Sequence, residues 1–311
     1  VTAPVSAPDA NQLAADNVKA AGAITLASAV FVFNDAIMKY VAESISMMQA
    51  MSVRGWIVTV VFAIAAWVRG DFARVGMLKS RLVWARAGLE TTGSLAFMSA
   101  LPHVPLAIAT ALVLSTPLLL IPLSAIFLGQ SIGLRRTLAV AVGFSGVLLV
   151  VRPSAEGVDI WLALVAVSAI FFALRDVATR RLPPQLPALL IALVMALAVT
   201  LATTALALWQ GWQPMGTGVY VGVLAAALFV GTGYMLMVRA MRIGEIALTG
   251  SFRYSAIPFG VGLGWLVWGE FPDLVAWCGI ALILGSGIYA LHRERMRTRL
   301  SATARVPPAS D

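Results

Sequence analysis

The chain contains almost no cysteine or histidine. Its single cysteine, Cys278, excludes an internal disulfide and any cysteine-based zinc or iron–sulfur centre. The two histidines, His103 and His292, fall at the ends of apolar runs and offer no metal-ligand set. Charge is scarce too: Asp, Glu, Lys and Arg make up 12% of the 311 residues, against 60% hydrophobic residues. A globular domain in water carries about twice that charge, and a mean hydropathy of +0.91 makes this a membrane protein. Walker A, HExxH and serine-elbow patterns are missing, as is a GxGxxG in a usable context. Neither a cofactor nor a metal is expected, and ATP-driven transport would need a partner subunit.

What the sequence does have is a series of about ten apolar runs, each near the length that a helix needs to cross the hydrocarbon core. Their limits fall near 21–41, 46–68, 82–101, 104–128, 134–151, 158–179, 187–209, 217–238, 245–268 and 273–291. The connecting loops alternate in charge. One set carries Lys19, then Arg69, Arg74, Lys79 and Arg81, then Arg135 and Arg136, Arg180 and Arg181, Arg239 and Arg242, and the arginine-rich C-terminus. The other set has only Lys39 and Arg152, beside Glu43, Glu156, Asp159, Glu270 and Asp273. The net charge of +8 therefore sets orientation in a bilayer and does not mark a nucleic-acid surface. By the positive-inside rule both termini are cytoplasmic and the number of spans is even. Residues 1–20, rich in Ala, Pro, Asp and Asn, are expected to be a disordered cytoplasmic tail, and residues 292–311 a basic cytoplasmic one.

The runs form a duplication, 21–152 and 158–291. Asp35 falls on Asp176, Lys39 on Arg180 and Gly146 on Gly287 at one shift of 141 residues, and the stretch Ala100–Gln130 matches Ala240–Glu270, each with a proline inside its run, Pro117 and Pro258. Because the match aligns charged residues as well as glycines, apolar composition alone does not explain it. Each unit has an odd number of spans, so the second inserts upside down relative to the first. Such inverted repeats place a midplane site at their interface in transporters.

Charges inside the runs are few: Asp35, Arg54, Arg86, Glu90, Arg175, Asp176 and Arg253. Each is costly at bilayer depth and faces a bundle interior or a wet cavity. Arg86 and Glu90 stand four apart on one helix face, which suits a local ion pair as well as contact with a substrate or gate. Asp35 with Lys39, and Asp176 with Arg180, repeat an acid-then-base spacing; Lys39 and Arg180 read as end anchors or gating residues rather than a substrate cage. Arg253 has no partner at helical spacing in its own run, so its counter-charge comes from another helix, from water or from a substrate carboxylate. Tyr254 points about 100° away from it, so at most one of the two faces a cavity. Pro117 and Pro258 are candidate helix breaks, where a freed carbonyl bends the span or meets a ligand.

These features resemble the drug/metabolite transporter superfamily, in particular its EamA-type members with two five-helix units, over Ala20 to Leu291. The residues that carry the likeness are Ala100-Leu101, Pro117, Gly129-Gln130 and Gly146, with Ala240-Met241, Pro258, Gly269-Glu270 and Gly287. Gln130 stands where the family has a glutamate, which argues against an indispensable carboxylate there. The resemblance implies secondary transport of small metabolites through a central cavity lined by spans 1, 3, 4, 6, 8 and 9. Phe252-Arg253-Tyr254, with Asn34-Asp35 and Lys39-Tyr40, also looks like a subgroup associated with S-adenosylmethionine uptake. The leading expectation is export of amino acids, aromatic ones included, across the inner membrane by alternating access, with protons as a coupling ion. Arg253 and Arg54 would take a carboxylate, and Asp35, Glu90 or Asp176 an ammonium. Uptake of a cationic metabolite such as S-adenosylmethionine is the alternative, and a membrane-embedded enzyme acting on a lipid intermediate comes third. Asn34, Tyr254, Arg86, Arg175 and Asp176 complete the cavity candidates. The sequence leaves the oligomeric state open.

Overall fold

The computed structural model describes residues 10–129, 133–152, 159–183, 185–243 and 251–303, and the described residues are helical with no strand. The helices are α1 (Ala10–Val41), α2 (Met47–Val68), α3 (Arg81–Ala100), α4 (Leu106–Val113), α5 (Thr116–Leu128) and α6 (Leu134–Val151). The second half has α7 (Ile160–Arg180), α8 (Ala188–Gln210), α9 (Thr217–Ile243), α10 (Ala256–Trp268) and α11 (Leu274–Thr303). Among the described residues eight spans, with α4 and α5 counted as one, are long and apolar enough to cross a membrane. The other two expected spans are α3, whose twenty residues include Arg81, Arg86 and Glu90, and the ninth, part of which lies outside the described residues.

One expectation needs correction, at the start of the chain. Helix α1 starts at Ala10, so the second half of the expected disordered tail is helical. The segment ANQLAADNVKA is rich in alanine, and Asp16 and Lys19 stand 3.5 Å apart one turn from each other, which favours helix even outside the bilayer. Helix α11 runs on to Thr303, past the end of its apolar stretch and into the basic segment. Gln130, weighed above, lies outside the described residues.

The packing follows the duplication. Helix α1 packs on α9 and α3 on α7, while α2 pairs with α8, α6 with α11 and α4 with α10. Exchanging the two repeats maps α1–α9 onto α3–α7 and maps α2–α8 and α6–α11 each onto itself. The pairs are antiparallel: Arg86 meets Thr179 while Glu90 meets Arg175, and Ser52 meets Thr204 while Thr59 meets Thr200. Helix α10 runs parallel to α1, since Ser28 lies by Arg253 and Lys39 by Glu270. Two inverted units of five spans satisfy all of these directions at once.

Small residues set the closest approaches. A Cβ on Gly146 of α6 would lie 2.7 Å from the Gly279 carbonyl of α11, and one on Gly279 would lie 2.8 Å from the Gly146 carbonyl, so the two backbones touch where they cross. Gly93 of α3 receives the Phe172 ring of α7 in the same way.

Both spans with a matched proline are broken. The fourth splits at Leu114 and Ser115, just before Thr116-Pro117, and the ninth passes through a 3-10 turn, Arg253–Ser255, before α10 resumes ahead of Pro258. A proline in the first turn of a helix costs no hydrogen bond, so each one here sits at the start of a half-helix rather than kinking a continuous one.

Candidate functional site

Most of the charged side chains inside the bundle gather around the second repeat's broken span. Arg253 opens the 3-10 turn, where its carbonyl accepts from Ser28 Oγ of α1 at the 3.5 Å limit of a hydrogen bond. Its guanidinium reaches toward Asp176 and Arg175 of α7, whose charges it feels. Among the described residues it makes neither a side-chain hydrogen bond nor an ion pair, and the residue is exposed. The cation is thus exposed and, among the described residues, unpaired. Tyr254 goes the other way: it is buried, and its hydroxyl fills the notch left by Gly287 on α11.

Beside it, α3 and α7 carry an ionic network. Arg175 Nη1 donates to both oxygens of Glu90, at 3.2 and 3.1 Å, and its Nε donates to Asp176 Oδ1 at 2.9 Å; its guanidinium also lies 4.9 Å from the centre of the Phe172 ring. One arginine therefore satisfies two carboxylates. Arg86 takes no part at ion-pair distance: its Nε donates to Thr179 Oγ1 at 2.7 Å, and its Nη1 is buried with no hydrogen-bond partner in the described structure. The spacing of Arg86 and Glu90 put them on one face, but Glu90 turns to α7 instead, where α3 and α7 press together at Gly93. Tyr234 of α9, not anticipated from the sequence, lies within electrostatic reach of Arg86 and Glu90 and donates to the Ala188 carbonyl at 3.3 Å. Counting Arg86, Arg175 and Arg253 against Glu90 and Asp176 leaves this wall with one excess positive charge.

A second group joins α1 to α2. Arg54 Nη1 donates to Asn34 Oδ1 at 2.9 Å, and Asn34 Nδ2 donates to Asp35 Oδ1 at 2.9 Å. Asn34 thus stands between the cation and the acid, and Asp35 has no cation within 4 Å. Neither Asp35 with Lys39 nor Asp176 with Arg180 forms a local pair.

Lys39 instead crosses the bundle. Its Nζ lies 2.6 Å from Glu270 Oε1 and donates to the Val104 carbonyl at 2.9 Å, while the other carboxylate oxygen, Oε2, accepts from the Leu106 amide at 3.1 Å. The Trp268 ring covers the ammonium, 4.9 Å from its centroid, and Trp268 Nε1 donates to Glu43 Oε1 at 2.8 Å. Glu270 and Trp268 were absent from the site expected above; only the Gly-Glu match pointed to the former. Arg180, the counterpart of Lys39, is exposed and has no ion pair among the described residues. Recesses on the flanks of the bundle, between α5, α6 and α7 and between α6 and α11, are lined mainly by apolar side chains and lie away from these charges. No group of His, Cys, Asp and Glu suited to a metal ion occurs among the described residues.

The paired bundle, the broken spans and the enclosed charges define a membrane transporter built from two inverted repeats. Residues 18–152 and 159–291 each match the EamA-like transporter family, and the chain belongs to that family, within the drug/metabolite transporter superfamily. It is similar to the riboflavin transporter of Rhizobium johnstonii, with 30% identity over 225 residues that cover 72% of each chain. It is also similar to the pseudopaline exporter CntI of Pseudomonas aeruginosa, at 29% identity over 64% of this chain and 70% of that one. The S-adenosylmethionine uptake transporter of Rickettsia bellii is 21% identical over 61% of this chain and 65% of its own. A solved crystal structure shares the fold, with a TM-score of 0.56 and 19% identity, over 88% of this chain and 98% of that one. The protein is thus a multi-pass inner-membrane transporter of small metabolites, and the enzyme reading is set aside.

Proposed function

We propose that this transporter moves a zwitterionic metabolite that carries a carboxylate, an amino acid in the leading reading, and that it works as an exporter by alternating access. The observation that carries the reading is Arg253: exposed, unpaired among the described residues, and at the break of the ninth span, beside a wall whose other charges, Arg86 and Arg175 against Glu90 and Asp176, cancel. A guanidinium there supplies a planar, two-pronged donor for a carboxylate, and the cost of holding it in the bundle is offset when an anion arrives. The substrate's ammonium group would face Asp35, which has only the Asn34 amide beside it. Uptake of S-adenosylmethionine is the second reading; that compound presents a carboxylate and additional positive charge, and Asp35 and Asp176 favour it. The relatives do not choose between these, since their names cite riboflavin, pseudopaline and S-adenosylmethionine.

Orientation follows from the loop charges: both termini cytoplasmic, and the Lys39 end of the bundle outside. Counterflow in proteoliposomes tests the substrate. Preloaded with amino acids, S-adenosylmethionine or riboflavin at two internal pH values, the vesicles should accumulate labelled amino acid. Exchange of riboflavin alone, a compound without a carboxylate, would overturn the reading. In cells of a Cys278→Ser variant, a cysteine at Phe271 should react with an impermeant thiol reagent and one at Ser80 should not; the reverse would invert the topology.

A further inference from the structure

We propose that Lys39, Glu270 and the first turn of α4 form an ionic latch that holds one end of the transport path shut and that must open in each cycle. The inference rests on the reading of the chain as an alternating-access transporter. Three elements meet at this point: α1 through Lys39, α4 through the Val104 carbonyl and the Leu106 amide, and α10 through Glu270. Each oxygen of the carboxylate has its own donor, the Lys39 ammonium at 2.6 Å and the Leu106 amide at 3.1 Å. The amide opens α4, so the carboxylate also meets the positive end of the helix dipole.

The chain is folded to deliver that carboxylate. Gly269 ends α10 in the left-handed region, φ 67°, and the Glu270 amide turns back to the Gly264 carbonyl at 3.0 Å. This αL ending is one that glycine adopts without strain. The Glu270 side chain packs beside Gly264, 3.7 Å from where a Cβ there would be, an ordinary contact distance. Trp268 closes the ammonium from above and is itself held by Glu43 at the rim.

Two considerations make this a switch and not only a brace. A buried ion pair is a poor way to gain stability, because desolvation consumes most of the attraction, and apolar residues of the same size often serve as well. It is a good way to make a closed state conditional, because breaking the contact frees two groups that water readily solvates. The second consideration is the opposite end of the bundle, where Arg180 occupies the repeat-related position in the exposed state. Among the described residues one end is tied by an ion pair, whereas at its counterpart Arg181, next to Arg180, donates only to the neutral Phe127 carbonyl, so the charged tie belongs to one side of the path alone.

The test uses a reporter in the seam between α4 and α10, at Thr110, which is buried and faces Gly260. In a Cys278→Ser background, Thr110→Cys should react slowly with a soluble thiol reagent in purified full-length protein. Adding Lys39→Met with Glu270→Gln, which removes both charges together and leaves no unpaired charge, should raise the labelling rate about tenfold, as a shifted population requires. Trp268→Phe, which keeps a ring but loses the donor to Glu43, should give a smaller rise. Unchanged labelling in folded double variant, judged by monodispersity and melting temperature, would overturn the latch. If the double variant does not fold, an unchanged rate in Trp268→Phe has the same force and a raised rate supports the latch. Faster labelling in protein that exchanges none of the tested metabolites would support the latch while refuting the substrate reading, so the two fail separately.

Discussion

The two repeats place equivalent residues in unlike company. Lys39 is 4% exposed and held by a carboxylate, a carbonyl and an indole ring, whereas Arg180 at the matching position is exposed. Asp35 receives only the Asn34 amide, whereas Asp176 is bound by Arg175. In the broken spans, Arg253 is exposed, and the matching positions of the first repeat, Leu112 and Val113, are apolar, with Leu112 fully buried. The duplicated scaffold is thus symmetric in its helix pairs and asymmetric in its charges. A midplane site needs the first property in order to move and the second in order to choose a ligand.

Arg253 tests that asymmetry most severely. Arg253→Leu makes the second repeat like the first, and it should slow amino-acid exchange by about 30- to 150-fold, the worth of a charge-assisted contact of about 2 to 3 kcal/mol. The melting temperature should hold, since no protein carboxylate loses a partner within 4 Å. Arg253→Lys should keep the charge and recover only part of the rate, because an ammonium lacks the planar fork. Normal exchange in Arg253→Leu would end the substrate role of this residue.

The α3–α7 wall should show its asymmetry in stability. Glu90→Gln strips Arg175 of one of two acids and should cost about 2 kcal/mol, below the range for a fully buried pair because the side chains of Arg175 and Glu90 remain 20% and 19% accessible. Arg86→Gln should cost clearly less, since Arg86 makes no ion pair within 4 Å. Equal losses in denaturation would mean that Arg86 and Glu90 are coupled as their spacing alone suggests.

That contrast also shows where the sequence stops being legible. The repeat could be read from a single shift that aligned an acid, a base and a glycine, and the broken spans lie within a turn of the prolines that the repeat matched. Helical spacing shows which side chains share a face, not which neighbour a long side chain chooses. Glu90 had Arg86 four residues away and took Arg175 from another helix. Lys39 and Glu270 are 231 residues apart and meet only because α1 and α10 run parallel, which no local pattern announces. Gly146 and Gly287 match in sequence, yet one meets the backbone of α11 and the other the Tyr254 ring, so a shared glycine did not mean a shared role.

Gly146 gives the next smaller effect. Gly146→Ala drives a methyl into the Gly279 carbonyl and should destabilise the fold by about 1 to 3 kcal/mol through overpacking. Gly285→Ala, six residues past Gly279 on α11 and with nothing within 4 Å of its new Cβ, should be near neutral. A thermal-shift comparison in one detergent checks the pair, and equal melting temperatures would remove the α6–α11 crossing as a constraint.

The smallest effect belongs to the surface pair Arg152–Asp273, which ties the end of α6 to the start of α11. Arg152 adopts a left-handed conformation, φ 50°, as it ends α6. Asp273 accepts from Arg152 and also from the Ala276 amide at 2.9 Å, capping α11. The Arg152 hydrogen bond, with the Ala276 amide second, holds the Asp273 carboxyl below the usual carboxylate range. A group whose folded pKa is depressed adds stability that is fully present above its unfolded value, near 4, and is lost as pH falls through the folded one. Melting temperature should therefore drop on acidification below about pH 4, and less so in Asp273→Asn, whose side chain still caps the helix but does not titrate. Both groups are exposed, so the difference should be small and should shrink further in high salt. If Asp273→Asn and the parent lose stability in parallel from pH 5 to 3, the carboxylate contributes nothing as a charge, and the α6–α11 contact rests on its glycines alone.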